Sequence, residues 1–125
     1  VDLRDLDTAK LVHFTERFER LGKDIGAATG TTFTFKRLVD SEPALSNPQV
    51  MGWIDASAVA LGLTRQRMPS GAGHDAQEIA RVAPIGMIFV PSISGISHSP
   101  KELTRAKDVA NGADVLLNAV IAADR

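Results

Sequence analysis

An α/β fold in two parts is what this sequence predicts, and three observations predict it. A stripe of apolar residues at helical spacing, Leu11, Phe14, Phe18, Leu21 and Ile25, lies between two stretches that alternate apolar and polar side chains, 1–4 and 31–39. A short apolar run, Ile85-Gly86-Met87-Ile88-Phe89-Val90, suits a strand covered on both faces, as in a parallel sheet. Between the two, residues 40–48 are turn-rich and punctuated by Pro43 and Pro48. The boundary is therefore set at Asn47, with half of a small strand–helix–strand domain over 1–47 and sheet strands with packed helices over 48–125.

Taken in order, Val1 and Leu3 point to one face of a strand tail, and Asp2 and Arg4 to the other. Asp7 is a suitable N-cap for the first helix, whose charged face is Lys10, Glu16, Arg17, Glu19, Arg20 and Lys23; Gly26 or Gly30 can end it. His13 sits beside the stripe and reads as a structural or surface residue. In 31–39, Phe33 and Phe35 share a face opposite Thr32, Thr34 and Lys36, as in a half-buried strand. Asn47 and Pro48 make an N-cap and first-turn pair, and Val50, Met51, Ile54, Ala58 and Leu61 then trace a helix face up to Gly62. Residues 65–68 suit a short strand, and 76–81 a short helix. Ser99, Pro100 and Glu102 fit a capped helical turn. A last helix over 106–123 presents Val109, Ala113, Leu116, Val120 and Ala123 to the core, with the turn-like Asn111-Gly112 inside it.

Composition narrows the function classes. Fourteen basic against fifteen acidic side chains leave a net charge of −1, so no overall field favours nucleic acid or an anionic membrane. The absence of cysteine excludes disulfides, thiolate zinc clusters and a cysteine nucleophile, and is compatible with a cytoplasmic location. No apolar run has the length of a membrane span.

Chemistry-bearing residues gather in 68–100. Ser70-Gly71-Ala72-Gly73-His74-Asp75 is a glycine-rich loop that lets backbone amides approach a ligand. It lacks the lysine and hydroxyl ending of a P-loop and the third glycine of a dinucleotide fingerprint, so a tight turn before a helix is the competing reading. The apolar run leads into Pro91-Ser92-Ile93-Ser94-Gly95-Ile96-Ser97-His98-Ser99-Pro100, and loops leaving the carboxyl ends of parallel strands are where open α/β sheets place ligands. His98 and His74 are expected to face one crevice. By itself His98 reads as an ordinary loop histidine, and Arg4 as a surface charge.

Three stretches, 70–76, 84–92 and 95–100, together resemble the C-terminal part of the zinc-dependent hydantoinase/carbamoylase amidohydrolases, a family related to metal-dependent exopeptidases. The resemblance implies the C-terminal part of a metallo-exopeptidase-like catalytic domain over 48–125, and half of an α/β lid and dimerisation domain over 1–47. It implies that the chain is truncated, because the family's sequence is about three times longer, a size consistent with two domains. The implied activity is cleavage of a linear amide or ureido bond in a small carboxylate-bearing substrate such as allantoate or an N-carbamoyl amino acid. His98 corresponds to the last metal-binding histidine of a dinuclear zinc site, which manganese can also fill. Gly73 and His74 correspond to substrate-contacting loop residues, and Arg4 to an arginine that holds the substrate carboxylate, a task its two-pronged guanidinium suits. Asp75 is expected to cap or orient a neighbour. The catalytic base and the other metal ligands have no counterpart in this chain, and the implied partner is a second copy, through the lid. A non-catalytic dimerisation or small-acid-binding module on the same scaffold is the alternative.

Overall fold

The computed structural model describes residues 1–124. Its helices are α1 (Thr8–Thr29), α2 (Pro48–Ala60), the single turn α3 (Ala76–Ile79) and α4 (Ala106–Ala123), with a 3-10 turn at Ile93–Gly95. The chain forms two compact units, one of Val1–Leu45 with Pro69–Gln77, the other of Ser46–Met68 with Glu78–Arg125. No helix among the described residues is long and apolar enough to cross a membrane.

In the first unit, Asp7 caps α1 by accepting from the amides of Ala9 and Lys10 at 2.9 and 3.3 Å. Gly30 ends the helix with φ 71°, a left-handed conformation that suits glycine, and donates to the Gly26 carbonyl. Thr31 donates to the same carbonyl at 3.1 Å, so the chain doubles back at once along the helix. It does so over the two buried residues of α1, Gly22 and Gly26. A Cβ on Gly22 would run into the Phe35 ring, and one on Gly26 into the Thr31 carbonyl oxygen. Phe33 and Phe35 stack with centroids 6.4 Å apart, as two side chains on one face should, and Phe35 meets Phe18 edge to face at 5.7 Å.

The packed side of α1 is thus Leu11, Thr15, Glu19, Gly22 and Gly26. Phe14, Phe18, Leu21 and Ile25, expected at the core, stay 41–54% exposed. The two glycines four residues apart admit the Phe35 ring at Gly22 and the Thr31 backbone at Gly26, and that close approach outweighs the larger stripe beside it. His13 is exposed, with an edge contact to Phe14.

In the second unit, Asn47 caps α2 through the amides of Gln49 and Val50, with Pro48 in the first turn, and Gly62 follows the helix at φ 68°. Helices α2 and α4 pack together. Ser57 and Ala58 of α2, Val115 and Ala119 of α4, and Ile85 are the buried residues of this unit. The apolar run touches both helices. A Cβ on Gly86 would lie 2.6 Å from Val50 Cγ1 and 3.0 Å from Ile54 Cδ1, and one on Gly112 would lie 2.5 Å from Val90 Cγ1. That approach accounts for a glycine at position 112, and the Asn111-Gly112 pair lies inside α4. The buried face of α4 is Val115 and Ala119, whereas the expected Val109, Leu116 and Val120 are more than half exposed.

The strands expected at 1–4, 31–39, 65–68 and 85–90 do not form: the described residues contain no strand, so the strand–helix–strand reading of the first part is realised in its helix alone. A strand exists only as part of a ladder. Residues 31–35 lay their aromatic rings on α1, and 85–90 pack on helices, but neither meets a second extended segment in register. A single backbone link, the Asn47 amide to the Ile85 carbonyl at 2.7 Å, joins the run to the start of α2.

Candidate functional site

The first unit brings Arg4 and the glycine-rich loop together across 67 residues of sequence. One guanidinium nitrogen of Arg4, Nη1, donates to the Gly71 carbonyl. The others grip Asp2: Nε reaches both carboxylate oxygens at 3.0 Å, and Nη2 reaches Oδ2 at 2.5 Å. This fork-on-carboxylate geometry is the one Arg uses to recognise carboxylates. Its hydrogen bonds hold the Asp2 carboxyl below the usual carboxylate range, so Asp2 is ionised wherever the pair matters. The side chains of Arg4 and Asp2 are 59% and 66% exposed, so the pair is open to exchange with a solute carboxylate.

The loop itself is internally braced. Ser70 Oγ lies 2.7 Å from His74 Nε2 and accepts from the Ala72 amide at 3.2 Å. The His74 amide donates to Gln77 Oε1 at 3.2 Å, and the Gln77 amide donates to the His74 carbonyl at 2.9 Å. Gln77 Nε2 in turn donates to the Glu42 carbonyl at 3.3 Å. Gly73 is exposed, and a Cβ there would only touch Gln77 Oε1 at 3.5 Å. Its backbone is therefore open to close approach.

His98 belongs to the second unit, so the two histidines expected to face one crevice stand in different units. Its loop is also built rather than slack. Ser92 Oγ donates to the Ile96 carbonyl at 2.5 Å, and the Ile93 amide donates to the Leu103 carbonyl at 2.8 Å. His98 itself has φ 54°, in the left-handed region that non-glycine residues rarely enter. Its amide donates to Glu102 Oε2 at 2.8 Å, while the Glu102 amide donates to the Ser99 carbonyl at 2.9 Å. Glu102, expected to brace a helical turn, thus braces the histidine. The described residues contain no group of three His, Cys, Asp or Glu side chains that could hold a metal. Zinc centres take three or four protein ligands, so the residues present do not by themselves fit one.

Three contributors went unread in the sequence: Asp2 as the partner of Arg4, Ser70 as the partner of His74, and Gln77 as the clamp on its backbone. The spacings i, i+2 for Asp2 and i, i+4 for Ser70 were visible, but neither marks a pairing outside regular structure.

Comparison with known proteins gives this site its family. The sequence profile of Peptidase family M20/M25/M40 matches residues 4–122. The chain is 35% identical over 117 residues to a ureidoglycolate hydrolase from Oryza sativa subsp. japonica, covering 93% of this chain and 24% of the relative. To the allantoate amidohydrolase of Escherichia coli strain K12 it is 36% identical over 116 residues, covering 93% and 28%. Among solved structures, that of AtUAH in complex with glyoxylate matches with a TM-score of 0.80 at 32% identity, over 93% of this chain and 28% of that one. The chain thus spans about a quarter of the length of the relatives it matches. The profile match runs from Arg4 through the loops of His74 and His98, and the chain belongs to Peptidase family M20/M25/M40, with a ureidoglycolate hydrolase and an allantoate amidohydrolase among its relatives.

Proposed function

We propose that this chain acts as the C-terminal segment of a longer amidohydrolase that cleaves a linear amide or ureido bond in a small carboxylate-bearing substrate. The observation that carries the reading is Arg4, whose guanidinium reaches the glycine-rich loop while its remaining nitrogens hold a carboxylate. In this reading the substrate carboxylate takes the place Asp2 occupies. One charge-assisted pair is exchanged for another on a guanidinium that stays open to solvent. The Gly73 backbone and the His74 ring then hold the amide end of the substrate against the same loop. Glyoxylate, the ligand of the related structure, is a small carboxylate of the kind this fork suits.

His98 is proposed as one ligand of a zinc centre whose other ligands lie outside this chain. A metal there would supply a Lewis acid for the scissile carbonyl. The contribution of this chain is to fix the backbone that carries the imidazole, through Glu102 and the bonded loop. The general base that would take a proton from the attacking water is likewise proposed to lie elsewhere in the longer enzyme.

Arg4→Lys in that enzyme should keep the charge and lose the fork. The expected result is weaker binding of a carboxylate-bearing substrate by about 1–3 kcal/mol, seen in KM, with little change for an analogue lacking the carboxylate. Equal kinetics for the two enzymes on the carboxylate-bearing substrate would remove Arg4 from the site.

The same reading has a second copy of the enzyme cover the first unit, as a homodimer. Its support is the half-exposed run Phe14, Phe18, Leu21 and Ile25, adjacent residues on one helix side. Sedimentation of the longer enzyme should show a dimer that Phe14→Glu with Leu21→Glu dissociates; a dimer indifferent to both charges would place the interface elsewhere.

A further inference from the structure

We propose that Gln77 is a positioning residue for the Gly73 backbone, acting as a strut between the glycine-rich loop and residue 42. The proposal rests on the reading above, in which the Gly73 backbone touches substrate. Gln77 Oε1 accepts from the His74 amide at 3.2 Å, and Gln77 Nε2 donates to the Glu42 carbonyl at 3.3 Å, 35 residues back in the sequence. The two partners fix which way the side-chain amide points, because a backbone N–H can only donate and a backbone carbonyl can only accept. The Gln77 main-chain amide closes the turn by donating to the His74 carbonyl at 2.9 Å.

Those bonds decide what the loop can offer a ligand. The Gly71 carbonyl accepts from Arg4, the Ala72 amide donates to Ser70, and both backbone groups of His74 are bonded to Gln77. Gly73 is exposed between them, and neither its amide nor its carbonyl is in a hydrogen bond among the described residues. It therefore presents one donor and one acceptor, and an amide or ureido group carries the matching acceptor and donor. Glycines at 71 and 73 give this stretch a backbone freedom that other residues would not, so ordering it on binding would cost affinity. Gln77 fixes the residue next to Gly73 before a ligand arrives. Such preorganisation favours substrate and transition state alike, so its loss is read in KM rather than in kcat.

The test has two arms. In the 125-residue chain, amide hydrogen exchange read by NMR should find His74 protected about tenfold or more above Gly73. Gln77→Met, which keeps the side chain's length and loses both polar ends, should remove that difference. In the longer enzyme, Gln77→Met should raise KM about three- to tenfold with kcat changed less than about twofold. Gln77→Glu keeps an acceptor for the His74 amide but, ionised, has no hydrogen for the Glu42 carbonyl, so its KM should lie between the two. A His74 amide no better protected than that of Gly73 in the unsubstituted chain overturns the proposal even if the variants do not fold. Protection that Gln77→Met leaves unchanged overturns it too, as does a Gln77→Glu enzyme at the parent's KM or a Gln77→Met enzyme whose kcat falls while KM holds. Gly73→Ala separates the levels, because its Cβ would meet only Gln77 Oε1, at 3.5 Å, so the loop accommodates it while a ligand's approach is narrowed. If Gly73→Ala raises KM and Gln77→Met does not, the proposal fails and the substrate role of Gly73 stands; if neither changes KM, that role fails with it.

Discussion

Gly26→Ala should unseat residues 31–35 from α1 and lower the stability of the first unit by about 1–3 kcal/mol, the usual cost of forcing atoms into a closed contact. Helix propensity alone points the other way, since glycine to alanine inside a helix gains about 1 kcal/mol. The contact decides the sign, because the new methyl would meet the Thr31 carbonyl oxygen, which is backbone and cannot swing aside. It would also lie 3.3 Å from Phe33 Cδ2, so the stacked Phe33–Phe35 pair has to move with it. Gly52 is the control: it is inside α2, exposed, and a Cβ there meets nothing within 4 Å. Gly52→Ala should therefore stabilise the protein by roughly 0.5–1 kcal/mol. Urea unfolding followed by helix circular dichroism, with amide exchange along α1, gives both signs. A Gly26→Ala protein as stable as the Gly52→Ala protein would mean that the return of the chain over Gly22 and Gly26 is not a packed contact.

The ends of the helices were legible in the sequence because caps are local chemistry. Asp7, Gly30 and Asn47 each act on amides or carbonyls a few residues away, and Pro48 suits the first turn of α2 by its fixed φ and missing N–H. Which face a helix buries is decided at a distance. For α1 the larger stripe lost to the Gly22–Gly26 face because those glycines admit the Phe35 ring and the Thr31 backbone. For α4, Val115, Leu116, Leu117, Val120 and Ile121 put apolar side chains nearly all round, so periodicity could not choose among faces. The strands were unreadable for the opposite reason: alternation marks the capacity to pair, and pairing needs a neighbour the described residues do not supply. Of the site, the loops and their histidines were visible as residue types. The Ser70–His74 and Arg4–Gly71 contacts were not, because they belong to irregular backbone whose path no spacing encodes.

His98 offers the largest expected functional effect and the cleanest separation of function from stability. At φ 54° a side chain with a Cβ costs about 1–2 kcal/mol relative to glycine, so a loop that needed only this turn would be better served by glycine or asparagine. His98→Gly should therefore leave the 125-residue chain as stable as before or up to about 1 kcal/mol more stable, because its amide can still donate to Glu102. The same substitution in the longer enzyme should remove an imidazole from the proposed zinc centre. Losing an outer partner of a metal ligand typically costs about 10–100-fold in affinity or activity, and losing the ligand should cost more. Elemental analysis beside turnover reads both quantities in one preparation. Stability that rises while metal content and activity fall identifies His98 as a residue kept for its chemistry against the preference of its backbone. If stability and activity fall together, His98 is serving the loop. A fully active, fully metal-loaded His98→Gly enzyme would end the ligand assignment. The isolated chain, offering His98 and no ligand cluster among its described residues, should take up zinc far below one equivalent and hydrolyse no amide. One equivalent of zinc with turnover in that chain would show that these residues assemble a complete centre, and the reading of a C-terminal segment would fall with it.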